Sequence, residues 1–434
     1  MKQPAILRKR IIRGATGIIG IGLLAFVFFK FVSGAKNIDP GEFASDGYIV
    51  ALKETEDGEQ AVLISPTGEL KLSPDYVEGV NDQTPTWTRD GNRIYFASDR
   101  DEQSHVYRWN EPRNAVERMT IDKRPKSGVI FDAADSSIVD PTCLIISGGT
   151  VITLDPTKKV SRQILPPGKA SSEGDEQEGA KDQFEQIYSG LGTSVRVARW
   201  SKDREYLLIV MRRDEGEILI AQKMGKVPRP VDATDAYRMD FTKRPIAVVA
   251  GDKVDFDISA ADGSVVFTCM GFQFPDPAMV PPELKVNGKV SLPFRHVLGI
   301  YHPGEGGMYE QSRTAQEFVA LGPDDKFCFS SPKISPSGTE FVAIVGNYEG
   351  SGLMRANNLV MMPFRPGGGN EAVTISKAGN ISDPSWHPNG QSVLYVTRTD
   401  GKRAIFSVGR DQTGEKKISP EGSFRAPSYS PISK

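Results

Sequence analysis

The stretch TPTWTRDGNRIYFASDRDEQSHVYRWN, residues 84–110, sets Asp99, Arg100 and His105 close together. A carboxylate, a guanidinium and an imidazole at such spacing could hold a substrate and move a proton. A second candidate is KVDFDIS, where Asp255 and Asp257 offer carboxylates that a lyase or hydrolase could use. The chain has only four histidines, His105, His296, His302 and His387, and their spacing matches no metal-ligand pattern. His387 occupies a turn position equivalent to Thr88, where a solvent-facing polar residue suffices. RPGGGNEA, residues 365–372, lacks the Lys-Ser/Thr of a phosphate loop and reads as a strand connection. No Gly-x-Ser-x-Gly nucleophile elbow is present, and the Asp-rich turns lack EF-hand spacing. Cys143, Cys269 and Cys328 each lie in an apolar, strand-like stretch, with no Cys-x-x-Cys, and read as buried free thiols. Weighed this way, the reactive residue types assign no catalytic, metal or cofactor-binding site, and no cofactor is expected.

Whatever positions these residues must fit a chain of 434 residues, long enough for one large fold or two to three ordinary domains. Its 53 basic residues against 55 acidic ones create no overall field toward nucleic acid, so no nucleic-acid partner is expected. The N-terminus carries a location signal. Lys2, Arg8, Lys9, Arg10 and Arg13 precede an apolar segment from Gly14 to Ala35, interrupted only by Lys30, whose amine can snorkel outward. No acid occurs before Asp39, so residues 1–13 are expected in the cytoplasm, 14–35 as a transmembrane signal anchor and 36–46 as a linker beyond the membrane. The competing reading is a cleaved signal peptide with Ser33 and Ala35 at its site. Bulky FVFFKF near that point and the length of the apolar run favour the anchor.

From residue 47 onward the chain repeats itself. A bulky anchor (Trp87, Trp200, Ile258, Ile334, Trp386) precedes a turn: Asp90-Gly91, Asp203-Arg204, Asp262-Gly263, Ser337-Gly338 or Asn389-Gly390. A β-branched or aromatic run follows each. Four copies keep a spacing of three from anchor to turn, and the Ile258 copy carries one insertion. Such turns supply positive φ angles for tight hairpins, and the runs after them suit strands inside a sheet. Pro85, Pro332 and Pro384 lie two residues before their anchors, where a strand start would tolerate a missing donor. Each unit is a small antiparallel sheet that must stack on its neighbours to bury both faces.

The final APSYSPISK repeats the pattern with Pro427 and Tyr429 but supplies only a first strand. Residues 48–53, 60–66 and 69–73 are three strand-like runs lacking an anchor strand. The C-terminal strand is expected to complete this N-terminal sheet and close a ring, an all-β propeller over 47–434. Anchor steps of 113, 58, 76, 52 and 43 residues leave room for one further unit in 128–165 with Phe131 as anchor. The expectation is seven blades, or six if that segment is only a connection. Long loops fall at 166–186, 275–294 and 304–318, the last with a polar stretch that could be helical.

Pro85, Trp87, Asp90, Gly91, Ile94, Phe96, Ser98, Asp99 and Arg100 stand where the repeat of TolB-like β-propellers has its signature residues. DPSWHPNGQSVLYVTRTDGKRAIFSV resembles it nearly as well. The resemblance implies a propeller exported to the cell envelope whose faces bind other proteins. It also implies hairpin or inter-blade roles for Asp99 and Arg100. TolB carries an α/β domain before its propeller and is released as a soluble protein. Here about ten residues separate the apolar run from the first strand. The expectation is therefore a membrane-anchored paralogue on the periplasmic side of the inner membrane, a non-catalytic scaffold for an envelope or membrane protein. The alternative is a lyase or hydrolase of carbohydrate or lactone working through channel carboxylates.

Overall fold

The computed structural model describes residues 47–431 except 89, 111–112, 121–125, 127, 131–142, 157–158, 167–184, 189, 193, 203, 228–235, 241–242, 276–279, 281, 293, 305–308, 310–316, 323–326 and 350–352. The chain divides into units 1–44 and 45–434. The basic tail, apolar run and linker, the expected anchor Phe131, and most of the loops at 166–186 and 304–318 lie outside the described residues. Among the described residues, no helix is long and apolar enough to cross a membrane.

Six four-stranded antiparallel sheets and one five-stranded sheet form the seven blades of a propeller. Blade 1 joins Ile49–Glu54, Glu59–Ile64 and Leu70–Leu72 to the C-terminal strand Phe424–Tyr429. Blade 2 is Asp82–Trp87, Arg93–Ser98, His105–Asn110 and Ala115–Arg118. Blade 3 is Gly128–Ile130, Cys143–Ser147, Thr150–Asp155 and Val160–Leu165, which decides between seven and six. Blade 4 is Ser194–Trp200, Tyr206–Arg212, Glu217–Val227 and Ile246–Gly251, with Ala236–Met239 added along the third strand. Blade 5 is Lys253–Ile258, Val265–Met270, Val297–Tyr301 and Glu317–Leu321. Blade 6 is Phe327–Ile334, Glu340–Glu349, Leu353–Pro363 and Val373–Ser376. Blade 7 is Ser382–Trp386, Ser392–Thr399, Lys402–Gly409 and Lys416–Lys417.

The turn chemistry read from the sequence sets the first hairpins. In blades 2, 4, 6 and 7 the N–H of Gly91, Arg204, Gly338 or Gly390 donates to the carbonyl three residues back. In blade 5, Gly263 donates to Ser259, four back, which is the one-residue insertion. Gly263 takes φ 80° and Arg204 φ 59°, angles a glycine adopts without the Cβ clash that a side chain meets. The turns of adjacent blades touch: the Lys202 ammonium donates to the Ala261 carbonyl, and Gly338 packs on Ala261. They define one face of the ring, here the turn face.

The prolines do not start strands, as their spacing suggested. Pro85, Pro332, Pro384 and Pro427 lie within the innermost strands, where the pairing register shifts. Proline is tolerated there because the bulge and the unpaired inner edge demand no ladder donor. Each preceding residue, Thr84, Ser331, Asp383 or Ala426, has φ between 46° and 51°, uncommon for a side chain other than glycine. In two blades the displaced residue meets the next blade: Thr84 Oγ1 accepts the Val129 N–H at 3.0 Å, and Asp383 Oδ2 accepts the Ala426 N–H at 3.5 Å.

The core lies between the blades rather than within one centre. Tyr95, Ala97, Val106 and Met119 of blade 2 pack on Val129, Cys143, Ile145, Ile152 and Leu154 of blade 3. Ile49, Ala51, Val62, Ile64 and Phe424 of blade 1 meet Leu394, Val396 and Ile405 of blade 7 in the same way. Each fully buried aliphatic chain contributes roughly 1.5–3 kcal/mol, so no sheet is stable without both neighbours. Closure follows the expected pairing, with Ile49 opposite Tyr429 and Lys53 opposite Phe424. Ion pairs Arg403–Glu54 and Arg425–Glu59 brace it.

Candidate functional site

The first candidate group resolves into a seam. Arg100 pairs with Asp82 at 2.9 Å, both side chains almost wholly buried. Its guanidinium lies 4.9 Å from the Phe96 ring centre and 5.0 Å from that of Tyr107. Asp82 also accepts the Ala61 N–H of blade 1 at 2.9 Å. Asp99 accepts the Asn81 N–H at 2.7 Å. His105 faces Thr120 Oγ1 at 3.3 Å inside blade 2. These groups hold loops and blades and do not converge on one reacting point, which fits the inter-blade role implied for Asp99 and Arg100.

The second candidate pair lies on the innermost strand of blade 5, beside the channel, and is built into a charged ladder. Arg196 of blade 4 meets Glu217 at 2.6 Å and Asp255 at 3.4 Å, and donates to the Val254 carbonyl. Glu217 accepts the Val254 N–H at 2.9 Å. One oxygen of Asp257 pairs with Arg199 of blade 4; the other accepts the Ile334 N–H of blade 6 at 2.9 Å. Burial alone would raise the Asp257 carboxyl, but the Arg199 and Lys333 charges and the Ile334 N–H hold it below the ordinary carboxylate range. An acid so held is ionised at neutral pH and has no proton to give. Asp255 and Asp257 are thus engaged in different ion pairs.

Superposing the repeats by register shows what surrounds Asp257. One residue before each anchor stand Ser428, Thr86, Arg199, Asp257, Lys333 and Ser385, from blades 1, 2, 4, 5, 6 and 7. Each is the next-to-last residue of its blade's innermost strand, so the register puts them at equivalent positions beside the turn face. Equivalent bonds to the preceding blade fix the backbone here: Trp87 Nε1 donates to the Ser428 carbonyl at 3.1 Å, and Trp386 Nε1 to the Lys333 carbonyl at 2.9 Å. The half-buried Lys333 ammonium has no hydrogen-bond or ion-pair partner among the described residues.

A third group is invisible in the sequence. Ser264 Oγ lies 2.7 Å from His302 Nδ1, and His302 Nε2 lies 3.4 Å from Glu317 Oε2. The order Ser, His, Glu suggests an activated nucleophile. Yet Ser264 Oγ also donates to Asp262 Oδ2 at 2.7 Å, so its proton is committed to a carboxylate. The nearby Gly263 and Ser264 N–H groups are spent on Ser259 and Asp262, leaving neither to stabilise an oxyanion. Ser264 is 1 % exposed. Burial would raise the Asp262 carboxyl, but hydrogen bonds from Ser264 and Ser259 keep it below its usual range. The group caps the blade 5 turn and ties it to the third and fourth strands. The long connection 271–296 between the second and third strands of blade 5 hid the meeting from sequence spacing.

His296 is buried and accepts the Gly271 N–H at 3.2 Å, whereas His387 stacks edge-on against Tyr429. Among the described residues, no three His, Cys, Asp or Glu side chains are gathered as a metal site. Cys143, Cys269 and Cys328 are buried free thiols. Burial pushes the Cys269 thiol well up and that of Cys328 to about 11, so neither is a ready nucleophile.

No protein-family profile matches the chain, and no curated protein matches it. Among solved structures it is similar to TolB from Acinetobacter baumannii: 13 % identity, 92 % of this chain, 70 % of that chain, TM-score 0.44. It is also similar to oligogalacturonate lyase from Vibrio parahaemolyticus: 13 % identity, 89 % of this chain, 93 % of that chain, TM-score 0.48. For Kuenenia stuttgartiensis hydrazine synthase the identity is 12 %, over 89 % of this chain and 47 % of that one, with TM-score 0.45. At these values the likenesses carry no inference about activity.

Proposed function

We propose that this chain is a membrane-anchored member of the TolB-like repeat family, a non-catalytic seven-bladed scaffold that binds an envelope or membrane protein on the periplasmic side of the inner membrane. The observation that carries the non-catalytic part is the engagement of Asp255 and Asp257. Each is tied into the joints between blades 4, 5 and 6, and Asp257 is held ionised. Those joints are rigid docking surfaces rather than proton-transfer sites. The anchored location rests on the apolar run at 14–35 with its basic flank.

The test is affinity capture of the full-length protein from its own membranes, followed by mass spectrometry of stoichiometric components. Recovery of one envelope protein at about equal amount is the expected result. No enriched protein, together with turnover of a glycan or lactone by the purified chain, overturns the scaffold in favour of an enzyme. Protease added outside intact spheroplasts checks location: digestion of the propeller is expected, and its survival contradicts export.

A further inference from the structure

We propose that the turn-face mouth of the channel is an anion-recognition site, centred on Lys333 and Arg199, that takes the carboxylates of an acidic segment of the bound protein. This rests on the scaffold reading and specifies its contact.

The charge at this level is uneven. Its six described positions carry two cations, Arg199 and Lys333, one carboxylate, Asp257, and three hydroxyls, Thr86, Ser385 and Ser428. Asp257 is the more deeply buried of its pair, with 12 % of its side chain exposed against 30 % for Arg199. Solvent therefore meets the cation first. Lys333 feels Asp257 but makes no hydrogen bond or ion pair among the described residues, so its three donors can receive a ligand. Further along the innermost strands the charges are paired: Asp255 meets Arg196 at 3.4 Å and Lys253 at 4.0 Å, and Asp383, in the field of Arg425, already accepts the Ser382 hydroxyl and the Ala426 N–H. An anionic side chain is attracted at the mouth, where Lys333 is left to receive it, while the carboxylates further in are already engaged. The Thr86 and Ser385 hydroxyls offer donors to carboxylate oxygens without adding charge, whereas the Ser428 hydroxyl donates to the Tyr429 carbonyl at 3.4 Å.

An acidic polypeptide is the occupant chosen because carboxylates carried on flexible side chains can reach a ring of donors spread over several blades. The experiment uses the full-length protein in detergent and a fluorescein-labelled decapeptide of glutamate, with binding read by anisotropy at low and at physiological salt. Binding that weakens with salt is expected, because exposed charges are screened. Lys333→Glu is expected to weaken it by about tenfold or more, since a like charge then faces the ligand. Lys333→Arg should stay within about threefold, and Lys416→Glu, on the outer strand of blade 7, should change nothing. Unchanged affinity in Lys333→Glu with wild-type melting, or no binding by the wild type, overturns the site. So does oligogalacturonate of equal charge binding about tenfold tighter, which would make the occupant a saccharide. Stoichiometric capture of an envelope protein by the Lys333→Glu variant would overturn this contact while leaving the scaffold reading intact.

Discussion

Asp257 ties three blades together. It satisfies a backbone N–H of blade 6 and the guanidinium of Arg199 from blade 4. Replacing it with asparagine keeps the size but removes the charge, and should cost about 1–3 kcal/mol in urea unfolding. The effect should depend on pH. Because the folded carboxyl lies below its unfolded value, its stabilisation is fully present above about pH 4 and is lost as pH falls through the folded value. The stability gap between wild type and Asp257→Asn should therefore be constant from pH 7 to about 5 and shrink below about 4. A gap that widens on acidification would contradict the assigned direction. Trp386→Phe keeps a ring in the apolar cluster of blades 6 and 7 but removes the bond to the Lys333 carbonyl, and should lose about 1 kcal/mol by the same measurement.

At the scale of elements, the repeats were legible because their signals are local. A bulky anchor, a turn three residues on and a β-branched run fix each inner hairpin, and even the extra residue in blade 5 was countable. The prolines were misread because a sequence shows where a donor is missing but not which strand edge is open. Arg199, Asp257 and Lys333 were legible in principle, each one residue before an anchor. Asp257 was singled out, but its neighbours Arg199 and Lys333 were overlooked because charges 58 and 76 residues away meet it only once the blades are set side by side. Ser264 and His302 left no signal, since the length of an insertion says nothing of where its ends return. Close packing inside blade 5 yields a further prediction. A Cβ on Gly299 would stand 2.4 Å from Phe267 Cζ, with the ring fully buried. Gly299→Ala should cost about 1–3 kcal/mol, read as a lower urea midpoint at unchanged slope.

The propeller is a ring whose first and last strands share one sheet, so its integrity depends on both of its ends. Removing residues 424–434 should expose the inner edge of Ile49–Glu54 and the face of blade 7, with loss of a single cooperative transition. A permutant opened between blades 1 and 2, with residues 434 and 47 joined by a short Gly-Ser linker, keeps all four strands of blade 1. It should melt within a few degrees of the parent propeller; a large drop would mean that closure depends on chain order rather than strand pairing. The ring would also favour the proposed binding at the mouth, because the backbone there is tied to neighbouring blades by the Trp87 and Trp386 indoles. The most direct test places a photo-cross-linking residue at Thr86, Ser385 or Ser428 of the full-length protein in its native membrane, with Leu72 on the outer strand of blade 1 as the reference. Adducts of one envelope protein from the mouth positions, absent at Leu72 and lost in Lys333→Glu, are predicted. Adducts from Leu72 alone, or none from any position while the purified chain turns over a glycan, would contradict the account.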